Sequence, residues 1–322
     1  MRGGAKPPTR IINLDRMPSD DQAVAELHDC LLRRETGLLP DGWGEVSEWP
    51  AERIETGDWT ASVFRAPELA DAAFDISTDK NLRRMEEQSM VPSAVLSGGG
   101  REYGRVRADA PGSFSVLESK GADAQRTIRG VPDQHRAPQT AVPRREWVDT
   151  PGTGPQHPHT ARLRDHASHL LVTAGQDTGT GRLTAVAQEK RHVGIGWLPV
   201  PGVTLEKAKA AAVFLNSTAG RLQLLRNPGR KLAFPQYRPA GLKTIRLPDL
   251  SDSDIVDRLT RCYETTAEME VAQYRDGECE VRRIWDDAVA DALGWDKCWL
   301  AGLRNLLHQE PHVRGLGYNQ FG

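Results

Sequence analysis

The chain holds 322 residues with 42 Lys+Arg against 44 Asp+Glu, a formal net charge of −2, a hydrophobic share of 38% and a mean hydropathy of −0.54. That length supports two or three cores, and the low hydropathy points to extended or loop-rich stretches between them. No apolar run approaches the ~18–20 residues of a membrane span, MRGGAKPPTR lacks the apolar stretch of a secretory signal, and Cys30, Cys262, Cys279 and Cys298 stand too far apart for a disulfide framework or a C-x-x-C metal cage, so a cytoplasmic protein with reduced thiols is expected.

In chain order, Ser19 reads as the N-cap of a helix over DDQAVAELHDCLLRRETG, with Gln22 as its capping-box partner. Val24, Leu27, Leu31 and Leu32 give the 3.6-residue stripe, and Gly37 ends the run. EVSEWPAERIETGDWTASVF reads as loop and short turns, with Trp43, Trp49 and Trp59 as packing anchors, and residues 66–76 as a short helix. Between Met90 and Val200 the pattern changes to short β-type runs: VPSAVLSGGG, REYGRVRAD, SFSVLESK and RTIRGV, then HLLVTAGQ, RLTAVAQEK and HVGIGWLPV. Residues 132–158, rich in Pro, Gln, His and Thr, read as a long surface loop. Thr204 caps one long helix, LEKAKAAAVFLNSTAGRLQLLRN, which Pro228 and Gly229 stop. LAFPQY and LKTIRLP are strand-like, and three helices follow in DSDIVDRLTRCYETTAEMEV, CEVRRIWDDAVADALGW and DKCWLAGLRNLLHQEP.

Charge is distributed unevenly along this order. From Arg182 to Arg246 twelve Lys/Arg face only Glu189 and Glu206, a net +10, whereas Asp15–Asp79 carries −11 and Asp249–Glu310 carries −8. A cationic middle in a near-neutral chain is the electrostatic footprint of a polyanion-binding surface, with DNA the first suspect. RNPGRKLAFPQYRPAGLK interleaves Arg226, Arg230, Lys231, Arg238 and Lys243 with Phe234 and Tyr237, the pattern of a surface that tracks a phosphate backbone. The loops between Arg126 and Arg145 are the candidates for sequence preference.

The sequence Leu215-Asn216-Ser217-Thr218-Ala219-Gly220-Arg221 on the helix, Phe234-Pro235 after it and Leu247-Pro248-Asp249 at the exit resemble the C-terminal, target-recognition and tail region of bacterial N6-adenine DNA methyltransferases of restriction-modification and phage-defence type. Glu280–Pro311 is similar to the closing helices of that family, and GDWTASVF to the connector after its catalytic domain. The resemblance covers most of the chain from Ile12 on. It implies an α+β fold in three parts: an acidic helical arm and connector over 1–85, a β-rich target-recognition-like DNA-binding core with one long packed helix over 86–250, and an acidic helical segment over 251–322. The family's adenine-holding Asn/Asp-Pro-Pro-aromatic tetrapeptide and its Gly-rich loop for the methyl donor are not in this sequence. The resemblance therefore implies a specificity protein or fragment that binds double-stranded DNA, holds no cofactor and has no catalytic residues or metal. S-adenosylmethionine is expected in a partner methyltransferase catalytic subunit.

Asn216, Ser217 and Thr218 are poor helix formers in an Ala/Leu helix. Two readings explain them: polar contact to phosphate, with Arg221 one turn beyond Ser217, or a hydrogen-bonded junction between helix and sheet, which suits Asn216 better. The expected DNA contacts are thus Ser217, Thr218, Arg221, Arg226, Arg230, Lys231, Arg238 and Lys243. The rival reading is a metal-dependent nuclease, with Asp177 and Gln188-Glu189-Lys190 in a D…Q-x-K arrangement, although Asp177 sits among Gly and Thr without a companion acid upstream. His157, His159, His166 and His169 read as loop histidines rather than a zinc site. A third reading is a partner-binding or inhibitory remnant of a defence locus.

Overall fold

The structure, a computed structural model, describes residues 8–14, 18–32, 36–39, 43–55, 64–93, 103–109, 113–118, 125–138, 148–150, 154–156, 165–226 and 236–314. The fold is mixed α+β.

The N-terminal part differs locally from its expected helix-and-loop character. Strands β1 (Thr9–Leu14), β2 (Gly37–Leu39) and β3 (Gly44–Trp49) form an antiparallel sheet in the order β1-β3-β2. Helix α1 (Asp21–Leu32) lies on it, placing Leu27 in a small core with Leu39, Trp43 and Val46. Its cap is Asp20 rather than Ser19: the Asp20 carboxylate accepts from the Ala23 N–H at 2.9 Å, and Gln22 turns instead to Glu26. Two-residue alternation holds only at Gly44 and Val46: Glu48 is exposed where it calls for a buried residue and Trp49 is buried out of phase, so the strand carries little period-two signal of its own. Gly44 adopts φ +136 where a Cβ would overlap the Asn13 carbonyl.

After α2 (Ala51–Glu55), α3 (Pro67–Thr78) starts with Pro at its first turn and buries Leu69, Ala70, Ala72, Ala73 and Ile76. Strand β4 (Leu82–Arg84) follows. The central sheet consists of β5 (Tyr103–Val106), β6 (Phe114–Leu117), β7 (Gln134–Pro138), β10 (Ser168–Thr173), β11 (Ala185–Gly194) and β12 (Trp197–Pro199), in the order β12-β10-β11-β6-β7-β5. All its pairings are antiparallel except β11 with β6. Between β7 and β10, β8 (Val148–Thr150) and β9 (Gly154–Gln156) pair as a hairpin. The loop expected over 132–158 is therefore partly strand. QHRAP carries no apolar alternation of its own and is held in place by its neighbours β5 and β6. RTIRGV, expected as a strand, contributes one bridge, Arg129 to Ala187.

The long helix expected after Thr204 is two: α4 (Leu205–Asn216) and α5 (Thr218–Arg226). From Ala210 to Asn216 every residue of α4 is buried, as befits a helix enclosed on all sides by β10, β11 and the C-terminal helices. α6 (Pro239–Leu242) and β13 (Arg246–Pro248) follow, and β13 pairs with β4. LAFPQY lies mostly outside the described residues, and Gln236 bridges Gly175. The three expected C-terminal helices form as α7 (Ser253–Thr266), α8 (Glu280–Leu293) and α9 (Lys297–Gln309), followed by α10 (Pro311–Arg314). Asp252 caps α7 and Asp296 caps α9 with their carboxylates, and Gly294 closes α8 in the left-handed region at φ +69. One buried cluster runs from Trp49 and Phe64 through the sheet and α4 to Val313. No helix among the described residues is long and apolar enough to cross a membrane.

Candidate nucleic-acid interface

The Asn-Ser-Thr sequence makes the break between α4 and α5. Ser217 is extended, at φ −68 and ψ 166. Its hydroxyl donates to the Phe214 carbonyl at 2.6 Å and accepts from the Gly220 N–H at 3.3 Å, serving both helix ends. A Cβ on Gly220 would overlap the Phe214 carbonyl oxygen, which is why glycine stands there. Asn216 Oδ1 accepts from the Thr184 N–H at 2.7 Å and the Ala185 N–H at 3.3 Å, and Nδ2 donates to the carbonyls of Ala185 at 2.7 Å and Ala212 at 2.8 Å. The side-chain amide thus pairs with Ala185 as a neighbouring strand would, fastening the helix to the start of β11.

The next two polar residues also turn inward. Thr218 donates its N–H and its hydroxyl to Asp286 on α8, both at 2.7 Å, and Arg304 on α9 donates to the same carboxylate at 2.6 Å. Asp286 is only 1% exposed. Burial pushes its pKa up from the ordinary carboxylate range, and the bonds from Thr218 and Arg304 oppose that rise. Arg221 is fully buried, donates to the Thr178 carbonyl at 3.0 Å and lies 4.3 Å from the centre of the Tyr274 ring, which also packs against Arg282 at 3.8 Å.

This corrects three of the expected DNA contacts. Ser217, Thr218 and Arg221 are interior groups with partners inside the protein, because the helix break aims them at α8 and the loop at Thr178 rather than at solvent. Arg226 is half-buried, 5.8 Å from the Phe74 ring centre. Lys243 is half-buried and pairs with Glu86 at 3.0 Å. Arg238 is exposed, and Arg230 and Lys231 lie outside the described residues. The same fate meets other bases of the +10 stretch: Lys209 pairs with Glu264, Arg182 donates to the Val271 carbonyl, and Arg246 donates to the Leu82 carbonyl. Glu264 and Glu86, together with two backbone carbonyls, thus take up part of the basic middle.

Among the described residues of the +10 stretch, Arg238 is exposed and a second exposed group lies on the sheet. Between β10 and β11 the register jumps: Ser168 faces His192 and Leu170 faces Ala187, so Gln188–Arg191 bulge opposite the single residue His169. The bulge is braced from beneath. The Gln188 amide, almost buried, donates to the Lys190 carbonyl at 2.7 Å and reaches His192 Nδ1, and His169 Nδ1 meets the Gln188 carbonyl at 3.0 Å. Burial pushes His192 down to about 4, so its ring is neutral at physiological pH. Glu189, Lys190 and Arg191 are exposed at the tip and make no side-chain hydrogen bond or ion pair among the described residues.

Val193 pairs in parallel with Val116, so the tip is carried toward the Phe114 end of β6. There the register sets Phe114 opposite Arg136, and Arg136 opposite Arg105, in one row across the sheet, with Glu118 bound to both arginines. By sequence, Lys190 entered the net charge and the nuclease arrangement and Arg191 the net charge alone, and neither was expected as a DNA contact. The available signal was three consecutive charged residues after the apolar run LTAVA.

Two further expectations resolve locally. Asp177 Oδ1 accepts the N–H groups of Gly179 at 2.9 Å and Thr180 at 2.8 Å, closing a turn. Of the stretch considered for base reading, Arg126 pairs with Glu270 and Arg129 with Glu268, residues 134–138 are strand, and 139–145 lie outside the described residues.

No family model and no curated protein matches the chain. Among solved structures it is similar to the type IIG restriction endonuclease BpuSI, at 12% identity and a TM-score of 0.49, over 99% of this chain and 41% of that one. The chain thus spans about two fifths of the length of that protein.

Proposed function

We propose that this chain is a DNA-binding target-recognition protein or fragment of a restriction-modification or phage-defence adenine methyltransferase system, and that methyl transfer belongs to a partner catalytic subunit that binds S-adenosylmethionine. The observation that carries the reading is the pair Lys190 and Arg191, exposed at one end of the central sheet beyond the row Arg105, Arg136 and Phe114, in which Glu118 pairs with both arginines. Cations interleaved with an aromatic on a rigid sheet suit a phosphate backbone with bases alongside. The Leu215–Arg221 sequence then serves as the fastening that keeps the sheet, α4 and the C-terminal helices in one unit.

The nuclease reading finds less support. One carboxylate oxygen of Asp177, Oδ1, is already taken up by two turn amides, which commits the side chain to closing the turn.

Mobility shifts with duplex DNA test the proposal. Binding is expected to weaken steeply between low and physiological salt, by about 0.9 log units per log unit of salt for each phosphate neutralised. No shift at low salt refutes the DNA reading, and transfer of labelled methyl groups by the purified chain refutes the division of labour.

A further inference from the structure

We infer that the β11 bulge is a base-reading finger, with Glu189, Lys190 and Arg191 as the residues that distinguish one duplex sequence from another. The inference rests on the DNA-binding reading above and assigns to it a specific element. Three observations carry it.

The tip is presented by a pinned backbone. The Gln188 side chain and His169 hold the carbonyls of Lys190 and Gln188, so the tip side chains start from fixed positions. Discrimination between base edges needs that, because a reading side chain must meet a donor or acceptor within hydrogen-bond range on one base and miss it on another.

The tip side chains are uncommitted. Arg126, Arg129, Lys209 and Lys243 are each tied to a carboxylate, while Glu189, Lys190 and Arg191 have no such bond among the described residues. Their hydrogen-bonding groups are available to a ligand.

The composition of the tip is wrong for a pure phosphate clamp and right for base edges. A glutamate beside two cations repels phosphate. In the major groove the same carboxylate accepts from the cytosine amino group, while Lys and Arg donate to guanine O6 and N7. An acid and two bases in sequence match the donor and acceptor pattern of G·C pairs. The tip emerges beside the row Arg105, Arg136 and Phe114, whose two arginines are already shared by Glu118, so the uncommitted groups at this end of the sheet are those of the tip.

The test uses the full chain and selection from a random duplex library, followed by affinity measurements on the selected duplex and on a scrambled one. Glu189→Ala separates the explanations. A base-reading carboxylate predicts a roughly 5- to 100-fold loss on the selected duplex and unchanged or tighter binding to the scrambled one, with Arg191→Ala shifting the selected sequence at one or two positions. Both variants alter exposed side chains, and unchanged circular dichroism confirms that they fold. Glu189→Ala tightening both duplexes alike, or tip variants selecting the wild-type sequence, overturns the finger while leaving DNA binding in place. A wild type that binds single-stranded RNA or an acidic protein but no duplex DNA overturns the functional reading itself and the finger with it.

Discussion

Removing the Asp286 carboxylate probes the junction most directly. Asp286→Ala leaves the Thr218 N–H, the Thr218 hydroxyl and the Arg304 guanidinium without the acceptor they share at 2.6–2.7 Å, in a site where Asp286 is 1% and Arg304 9% exposed. Breaking a buried ion pair from one side costs about 3–5 kcal/mol, because the remaining charge stays desolvated and unpaired. Each stranded neutral donor adds about 1–3 kcal/mol unless it relaxes toward water. Together these place the loss at the upper end of the 3–5 range, since the terms share one relaxation and do not add. Asp286→Asn, which keeps the shape and one acceptor oxygen, is expected to lose about half as much. Replacing both partners, Asp286→Leu with Arg304→Met, is expected to recover most of the loss, because no unpaired charge remains. Urea denaturation followed by circular dichroism reads all three. A loss under about 1 kcal/mol for Asp286→Ala, or a double variant worse than the single, refutes the claim that this carboxylate joins the helix break to α8 and α9.

Asn216→Ala should destabilise by roughly 2–4 kcal/mol in the same urea assay, since the Thr184 N–H and Ala185 carbonyl lose their bonds inside the core. Gly220→Ala should be at least as damaging as an ordinary overpacking change, about 1–3 kcal/mol, with the loss set by how far the Phe214 carbonyl gives way. Arg221→Ala should lower stability yet leave the DNA affinity of the remaining folded protein within about twofold, as an interior guanidinium makes no phosphate contact; a uniform large fall in affinity at unchanged folding would return Arg221 to the interface. His192 predicts a pH dependence. Its native value, about 4, lies below the unfolded value of 6.5, so between these pH values the unfolded chain takes up a proton that the native chain refuses, and stability falls as pH drops through that window. The integrated loss is roughly 3 kcal/mol, His308 is shifted the same way, and a His192→Asn variant should show a visibly shallower slope of urea midpoint between pH 7 and 5.

The sequence by itself determined the elements whose signals are local. The stripes, caps and stops of α7, α8 and α9 lie within a few residues of one another, and Asp252, Asp296 and Gly294 act where they stand. The short continuous apolar runs in β10 and β11 and the uneven charge were equally legible. Tertiary structure decided what those residues are for. A polar side chain in a helix reads alike whether it meets phosphate or a buried acid, and Thr218 finds Asp286 only across 68 residues of chain. The charge of Lys209 or Lys243 is fixed by sequence, but its reach into solvent depends on Glu264 and Glu86, which the fold delivers. QHRAP becomes a strand because two neighbours supply its hydrogen bonds, and the bulge that carries Glu189–Arg191 arises because four residues of β11 must pass one of β10, a register that no single segment encodes.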